Sequence, residues 1–195
     1  MRVATSIAIF LGLLSGPGYA ACNLDDIGAR LSQGQMFYSF QQSKTIEALS
    51  RPLFSSGMIW MSPQHELVWQ VRTPIKSTTV INIEGVREFN RNDVLQPQIN
   101  DEVAGDLSSL FLNLLSGNFI ALENTFDQSL SCEQDQWTLL LTPADSTFSN
   151  LLSSLSVSGE QYLEQVVYQE VRGDQTVIAL VPSDEVPDFE IYLEN

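Results

Sequence analysis

The spacing of apolar side chains changes period several times along the 195-residue chain. Residues 24–31 set Leu24, Ile27, Gly28 and Leu31 three or four apart, with Asp25 and Asp26 in the first turn, where the helix dipole favours carboxylates. This predicts a short amphipathic helix that stops at Gly34. From Met36 the period falls to two: Met36, Tyr38 and Phe40 share one face, and Phe37, Ser39 and Gln41 the other, as in a strand. Further strands are predicted at 57–61, 66–72, 78–84 and 86–90, with turns at Pro63-Gln64-His65 and Glu84-Gly85. Short consecutive strands with tight connections describe an antiparallel meander. The runs Met58-Ile59-Trp60-Met61 and Leu67-Val68-Trp69 are apolar at both parities, so both faces of this part of the sheet must be covered.

The strongest helical stripe comes next. Val103, Leu107, Leu110, Phe111 and Leu114 recur at three- and four-residue steps and predict a helix over 102–115, with Gly117 as its stop. A short helix or turn follows at 120–125. Strands resume at 128–131, 136–142, 149–158, 161–172 and 175–182, the last two joined through Gly173-Asp174. The acidic tail after Ser183 predicts one more edge strand at 189–193. No repeat or interdomain linker interrupts the series. The sum is one mainly β domain with helices, of the α+β class, whose helices must bury their apolar stripes against the concave side of a curved sheet.

The first twenty residues do not belong to that domain. Arg2, the apolar run 7–14, the break at Gly16-Pro17-Gly18 and the small pair Ala20-Ala21 have the layout of a secretory signal peptide cleaved after Ala20. The run is far shorter than the roughly 20 residues a helix needs to cross a bilayer. The chain thus divides into a leader, 1–20, and an exported domain, 21–195. Two fates are open to Cys22. It can pair with Cys132, the only other cysteine, in a disulfide suited to an oxidising compartment. Alternatively Tyr19-Ala20-Ala21-Cys22 serves as a lipobox and Cys22 is acylated, although Tyr19 stands where an aliphatic side chain is expected.

Charge and missing motifs narrow the function. A formal net charge of −15 repels nucleic acid and anionic headgroups alike. The single histidine, His65, falls in a turn, and no cysteine or carboxylate pattern near it has metal-ligand spacing. There is no G-x-S-x-G elbow, no phosphate-cradling glycine loop and no H-E-x-x-H. Asp184, Glu185, Asp188 and Glu190 lack the register of an EF-hand and read as a solvated tail. No catalytic residue, metal site or cofactor is predicted, so the chain reads as a binding protein. Its large strand side chains Phe37, Phe40, Met58, Trp60, Leu67, Trp69 and Val71 suit either an ordinary core or the lining of an apolar cavity.

Motif order separates those two readings. Phe40-x-Gln42, Gly57-x-Ile59-Trp60, Leu67-x-Trp69, Pro74 and Gly85, followed by Trp137-x-Leu139-x-Leu141-x-Pro143, resemble the LolA family of periplasmic lipoprotein carriers. The resemblance implies an unclosed antiparallel half-barrel with a helical lid over an apolar cavity that takes acyl chains. It places Trp60, Leu67 and Trp69 in or beside that cavity and makes 24–31 and 102–115 the lid. With the apolar pattern, the implied lipid-binding set is Phe40, Met58, Trp60, Leu67, Trp69, Val71, Leu107, Leu110, Phe111 and Leu114. The implied protein is a monomeric periplasmic carrier that moves lipoproteins or a related lipid towards the outer membrane, between an inner-membrane exporter and an outer-membrane acceptor. An acylated Cys22 would instead make it similar to the anchored acceptor LolB.

One departure stands out. The carriers have an arginine that latches the lid just after the G-x-L-W strand, and the matching position here is Pro63, which has no side-chain donor. The stretch Leu49-x-Arg51-Pro52-Leu53-x-Ser55-Ser56-Gly57 looks more like the divergent LolA-like proteins associated with aryl polyene biosynthesis, which implies a lipid-linked polyene as cargo.

Overall fold

A computed structural model describes residues 22–33, 37–61, 66–82, 85–97, 102–185 and 189–193. The expected leader at residues 1–20, Gly34, Met36, the expected turn at Pro63-Gln64-His65 and Glu84 lie outside the described residues. The chain runs α1 (Leu24–Gln33), β1 (Phe37–Thr45), β2 (Leu53–Met61), β3 (Leu67–Thr73), β4 (Ser77–Asn82), β5 (Gly85–Phe89) and α2 (Glu102–Leu115). After a 3-10 turn at Phe119–Leu122 come β6 (Phe126–Glu133), β7 (Gln136–Pro143), α3 (Ser146–Ser149), β8 (Leu152–Gly159), β9 (Leu163–Glu170), β10 (Gln175–Pro182) and α4 (Glu190–Leu193).

Local chemistry explains the element ends. Asn23 caps α1: its Oδ1 accepts the Asp26 backbone N–H at 2.7 Å, while its Nδ2 donates to the Asp26 carboxylate at 2.7 Å. Gly173 takes φ +98° in the turn from β9 to β10, a conformation that side chains with a Cβ rarely adopt.

The strands form one antiparallel sheet ordered β5-β4-β3-β2-β1-β10-β9-β8-β7-β6. β5 and β6 are its two edges and do not pair with each other among the described residues, so the sheet is the unclosed half-barrel that the resemblance implies. The order also explains the lid. The segment between β5 and β6 must travel from one edge to the other, and the short way is across the concave face. α2 lies on that path.

Register sorts the side chains into two layers. Tyr38 pairs with Ile59, Ile59 with Trp69 and Phe40 with Leu180, so these residues share the concave face. There they join Leu139, Leu141, Leu155, Val157, Val166 and Ile178 in the main core, which Ile27 and Leu31 of α1 and Leu110 and Leu114 of α2 close from above. The opposite parity of β2 to β5 carries a smaller cluster of Met58, Val68, Val80 and Phe89, covered by Phe189 and Tyr192. The doubly apolar strands are thus covered on both faces. The cover on the convex side corrects one expectation, since 189–193 does not add an edge strand. Phe189 and Tyr192 stand three apart, and a helical turn at α4 presses both onto the convex face.

Candidate functional site beneath the lid helix

Under α2, four aromatic rings form a connected series. Phe40 meets Trp69 with centroids 5.1 Å apart, Trp69 meets the edge of Phe111 at 5.5 Å, and Phe111 meets Tyr168 at 6.2 Å. Beside them lies a cavity of about 280 Å³, lined by Leu107, Leu110 and Phe111 of α2, by Leu151, Leu152 and Leu155, and by Tyr168. Its rim is charged. Lys44 Nζ donates to Glu170 at 2.6 Å, and Arg172 bridges Glu170 at 2.8 Å and Asp174 at 3.0 Å. An apolar floor with a polar rim suits a ligand that is hydrocarbon along its length and polar at one end.

The volume is near the lower end of ligand cavities, roughly 300–1,000 Å³. Much of the concave space is filled by the lid's own side chains, with Leu110 3% and Leu114 0% exposed.

The predicted lining residues divide between the two faces. Phe40, Leu67, Trp69 and Val71 come together on the concave face, and Leu107, Leu110, Phe111 and Leu114 meet them from α2. Met58 and Trp60 do not join them. Because Trp60 pairs with Val68 while Ile59 pairs with Trp69, both point to the convex side, where Trp60 stacks on Phe37 at 6.0 Å and packs on Phe189 at 5.9 Å. Sequence reasoning missed Leu151, Leu152, Leu155, Tyr168 and the ionic rim. The signal was the alternation Leu155-Val157 and Val166-Tyr168, which has the parity of the concave face.

Cys22 and Cys132 are joined in a disulfide, which ties the start of α1 to β6. The alternative fate of Cys22, acylation, would use the same sulfur. Among the described residues no group of three His, Cys, Asp or Glu side chains could hold a metal ion, and no helix is long and apolar enough to cross a membrane.

Residues 18–181 match the family model described as outer membrane lipoprotein carrier protein LolA-like. The chain belongs to this family. No curated protein matches the sequence. Among solved structures, MucB is 13% identical over 90% of this chain and 64% of its own, with a TM-score of 0.47. The present chain thus spans about 64% of the MucB chain. A LolA superfamily protein from Nitrosomonas europaea is 8% identical over 86% of this chain and 96% of its own, with a TM-score of 0.45. A putative outer membrane lipoprotein-sorting protein domain from Vibrio parahaemolyticus is 7% identical over 88% and 95%, with a TM-score of 0.43. The glycine of Gly57-x-Ile59-Trp60 has a packing reason in this structure. A side chain on Gly57 would place its Cβ 1.8 Å from the Gln70 carbonyl oxygen.

Proposed function

We propose that this LolA-like protein is a carrier that takes the hydrocarbon chains of a lipoprotein, or of a related lipid such as a lipid-linked aryl polyene, beneath α2 and moves them towards the outer membrane. Residues 1–20 act as a cleaved leader that delivers residues 21–195 to the periplasm. The observation that carries this reading is the apolar cavity between α2 and Tyr168, continuous with lid side chains that can give way to a larger cargo. Binding needs no covalent chemistry. Each methylene moved from water into such a site contributes about 0.8 kcal/mol, so one long chain supplies useful affinity. The Cys22–Cys132 bond favours the unanchored carrier over an acylated acceptor, because it occupies the sulfur an acyl group would need.

Native mass spectrometry of gently purified protein should find co-purifying lipid. Trp69→Glu places a carboxylate between Phe40 and Phe111 and should remove that lipid while the protein stays folded. A folded Trp69→Glu protein that keeps its full cargo would overturn the cavity. An intact mass heavier by acyl groups, with a titratable thiol at Cys132, would point to the anchored acceptor instead.

A further inference from the structure

One end of the sheet gathers the loops at 46–52, 74–76, 90–97 and 171–174, and the cavity lined by Lys44, Leu152 and Arg172 lies at the same end. Its loops and the strand start that adjoins them carry exposed apolar side chains. Phe54 is 68% and Ile75 69% exposed, and Leu49, Leu53, Val94 and Leu95 are all exposed beside them. Ile120, Leu140, Tyr162, Val181 and Ile191 are exposed away from this end. A clustered set on neighbouring loops marks an interaction surface, whereas scattered ones are ordinary.

Charge is distributed along the same axis. Of the nine Lys and Arg in the sequence, Lys44, Arg51, Arg72, Lys76, Arg91 and Arg172 sit in or beside these loops. Four of them are ion-paired, with Glu170, Glu185, Asp93 and the Glu170–Asp174 pair. Arg51 and Arg91 enter no ion pair among the described residues, and each flanks exposed apolar side chains: Leu49 in its loop with Leu53 and Phe54 at the start of β2, and Val94 and Leu95 in the other loop. The opposite end is acidic, with Asp26, Asp135 and Glu160 around the disulfide and only Arg30 among them. The loop end also carries Glu47, Asp93, Glu170, Asp174 and Glu185, so its cations are nearly balanced by acids, and what it offers an anionic surface in a chain of total charge −15 is the pair Arg51 and Arg91 beside the apolar side chains.

We propose that this loop end docks on a bilayer surface containing anionic phospholipid. Phe54 and Ile75 enter the boundary between headgroups and acyl chains, while Arg51 and Arg91 meet lipid phosphates at the level of the headgroups. Apolar tips bounded by guanidinium groups fit that interface on both counts, and the acidic far end, repelled by the same lipids, turns the cavity end towards the membrane. This docking requires nothing of the cargo assignment.

Flotation of the disulfide-bonded full-length mature protein with vesicles tests it. The protein should bind vesicles of phosphatidylcholine mixed with phosphatidylglycerol about tenfold better than vesicles of phosphatidylcholine alone. Arg51→Glu with Arg91→Glu should erase that preference, and Phe54→Ser with Ile75→Ser should abolish flotation on both. All four positions are exposed, so circular dichroism and the thermal midpoint should match the parent. Co-purifying lipid measured on the Phe54→Ser, Ile75→Ser protein should be unchanged, which separates docking from cargo binding. Failure of the parent protein to float, flotation by the apolar variant equal to the parent's, or binding only to vesicles that carry membrane proteins would each overturn the proposal.

Discussion

Gly57 lies opposite Phe40 on one neighbouring strand and Val71 on the other, at a register shift that presses the Gln70 carbonyl against its Cα. No side chain fits there, and this is why a glycine precedes the Ile59-Trp60 pair. Two positions away in register, Tyr38 faces the concave core with 6% of its surface exposed, and burial pushes its phenol up to about 12 from 10.0. The sign of the effect follows directly. Below pH 10 the phenol is neutral whether the chain is folded or not, and its contribution to stability is intact. As pH rises towards 12 only the unfolded chain can release the proton freely, so stability falls through that window. Urea unfolding across this range should show the decline, and Tyr38→Phe should remove the part of the slope that Tyr38 causes; an unchanged slope would count against the shift. Single-residue parity also marks the limit of what the sequence disclosed. Trp60 and Trp69 both follow apolar neighbours and look alike in a motif, yet only pairing with β3 shows that one faces the cavity and the other the α4 cover.

At the scale of elements, the boundaries most firmly written in the sequence were those with strong periodicity. The helix over 102–115 is observed with those ends, and α1 runs two residues past Leu31. β2 begins at Leu53, four residues before the predicted strand, because its first four positions run from exposed Leu53 and Phe54 to half-buried Ser55 and Ser56 and show no alternation. α3 went unread since a four-residue helix has too little pattern; what starts it is Asp145, whose carboxylate accepts the Thr147 and Phe148 backbone N–H groups. Contact between the lid elements was invisible in the pattern. Gly28 of α1 meets the Gly117 backbone beyond α2 so closely that a Cβ on Gly28 would lie 2.5 Å from the Gly117 carbonyl oxygen. Gly28→Val should therefore push the two apart and cost about 1–3 kcal/mol. A urea midpoint equal to the parent's would show that the helices slide without penalty.

For the whole molecule, alternation and turn residues made a series of antiparallel strands legible, and the half-barrel itself came from the resemblance to the LolA family. Long-range order was not legible: nothing local says that β1 pairs with β10, or that the loops at 46–52 and 171–174 meet at one end. The disulfide spans 110 positions, and closing so long a loop contributes on the order of 4 kcal/mol if it acts by restricting the unfolded chain. Cys22→Ser with Cys132→Ser should lower stability by that order, and hydrogen exchange should quicken first in α1. Loss of protection spread evenly over the sheet would mean that the cross-link serves the fold as a whole rather than α1.

The same cross-link also decides how the lid can move. α1 is tied to β6 at the acidic end, and the Gly28–Gly117 contact holds the C-terminal end of α2 beside it. On the proposed carrier function, α2 would then move as a door hung on one side, free at Leu107 and held near Leu114. On that function a hydrocarbon would enter by its tip at the loop end and advance along the helix only as far as its length demands, so the opening angle would gauge chain length. A carrier built in this way would need no separate pocket for each cargo.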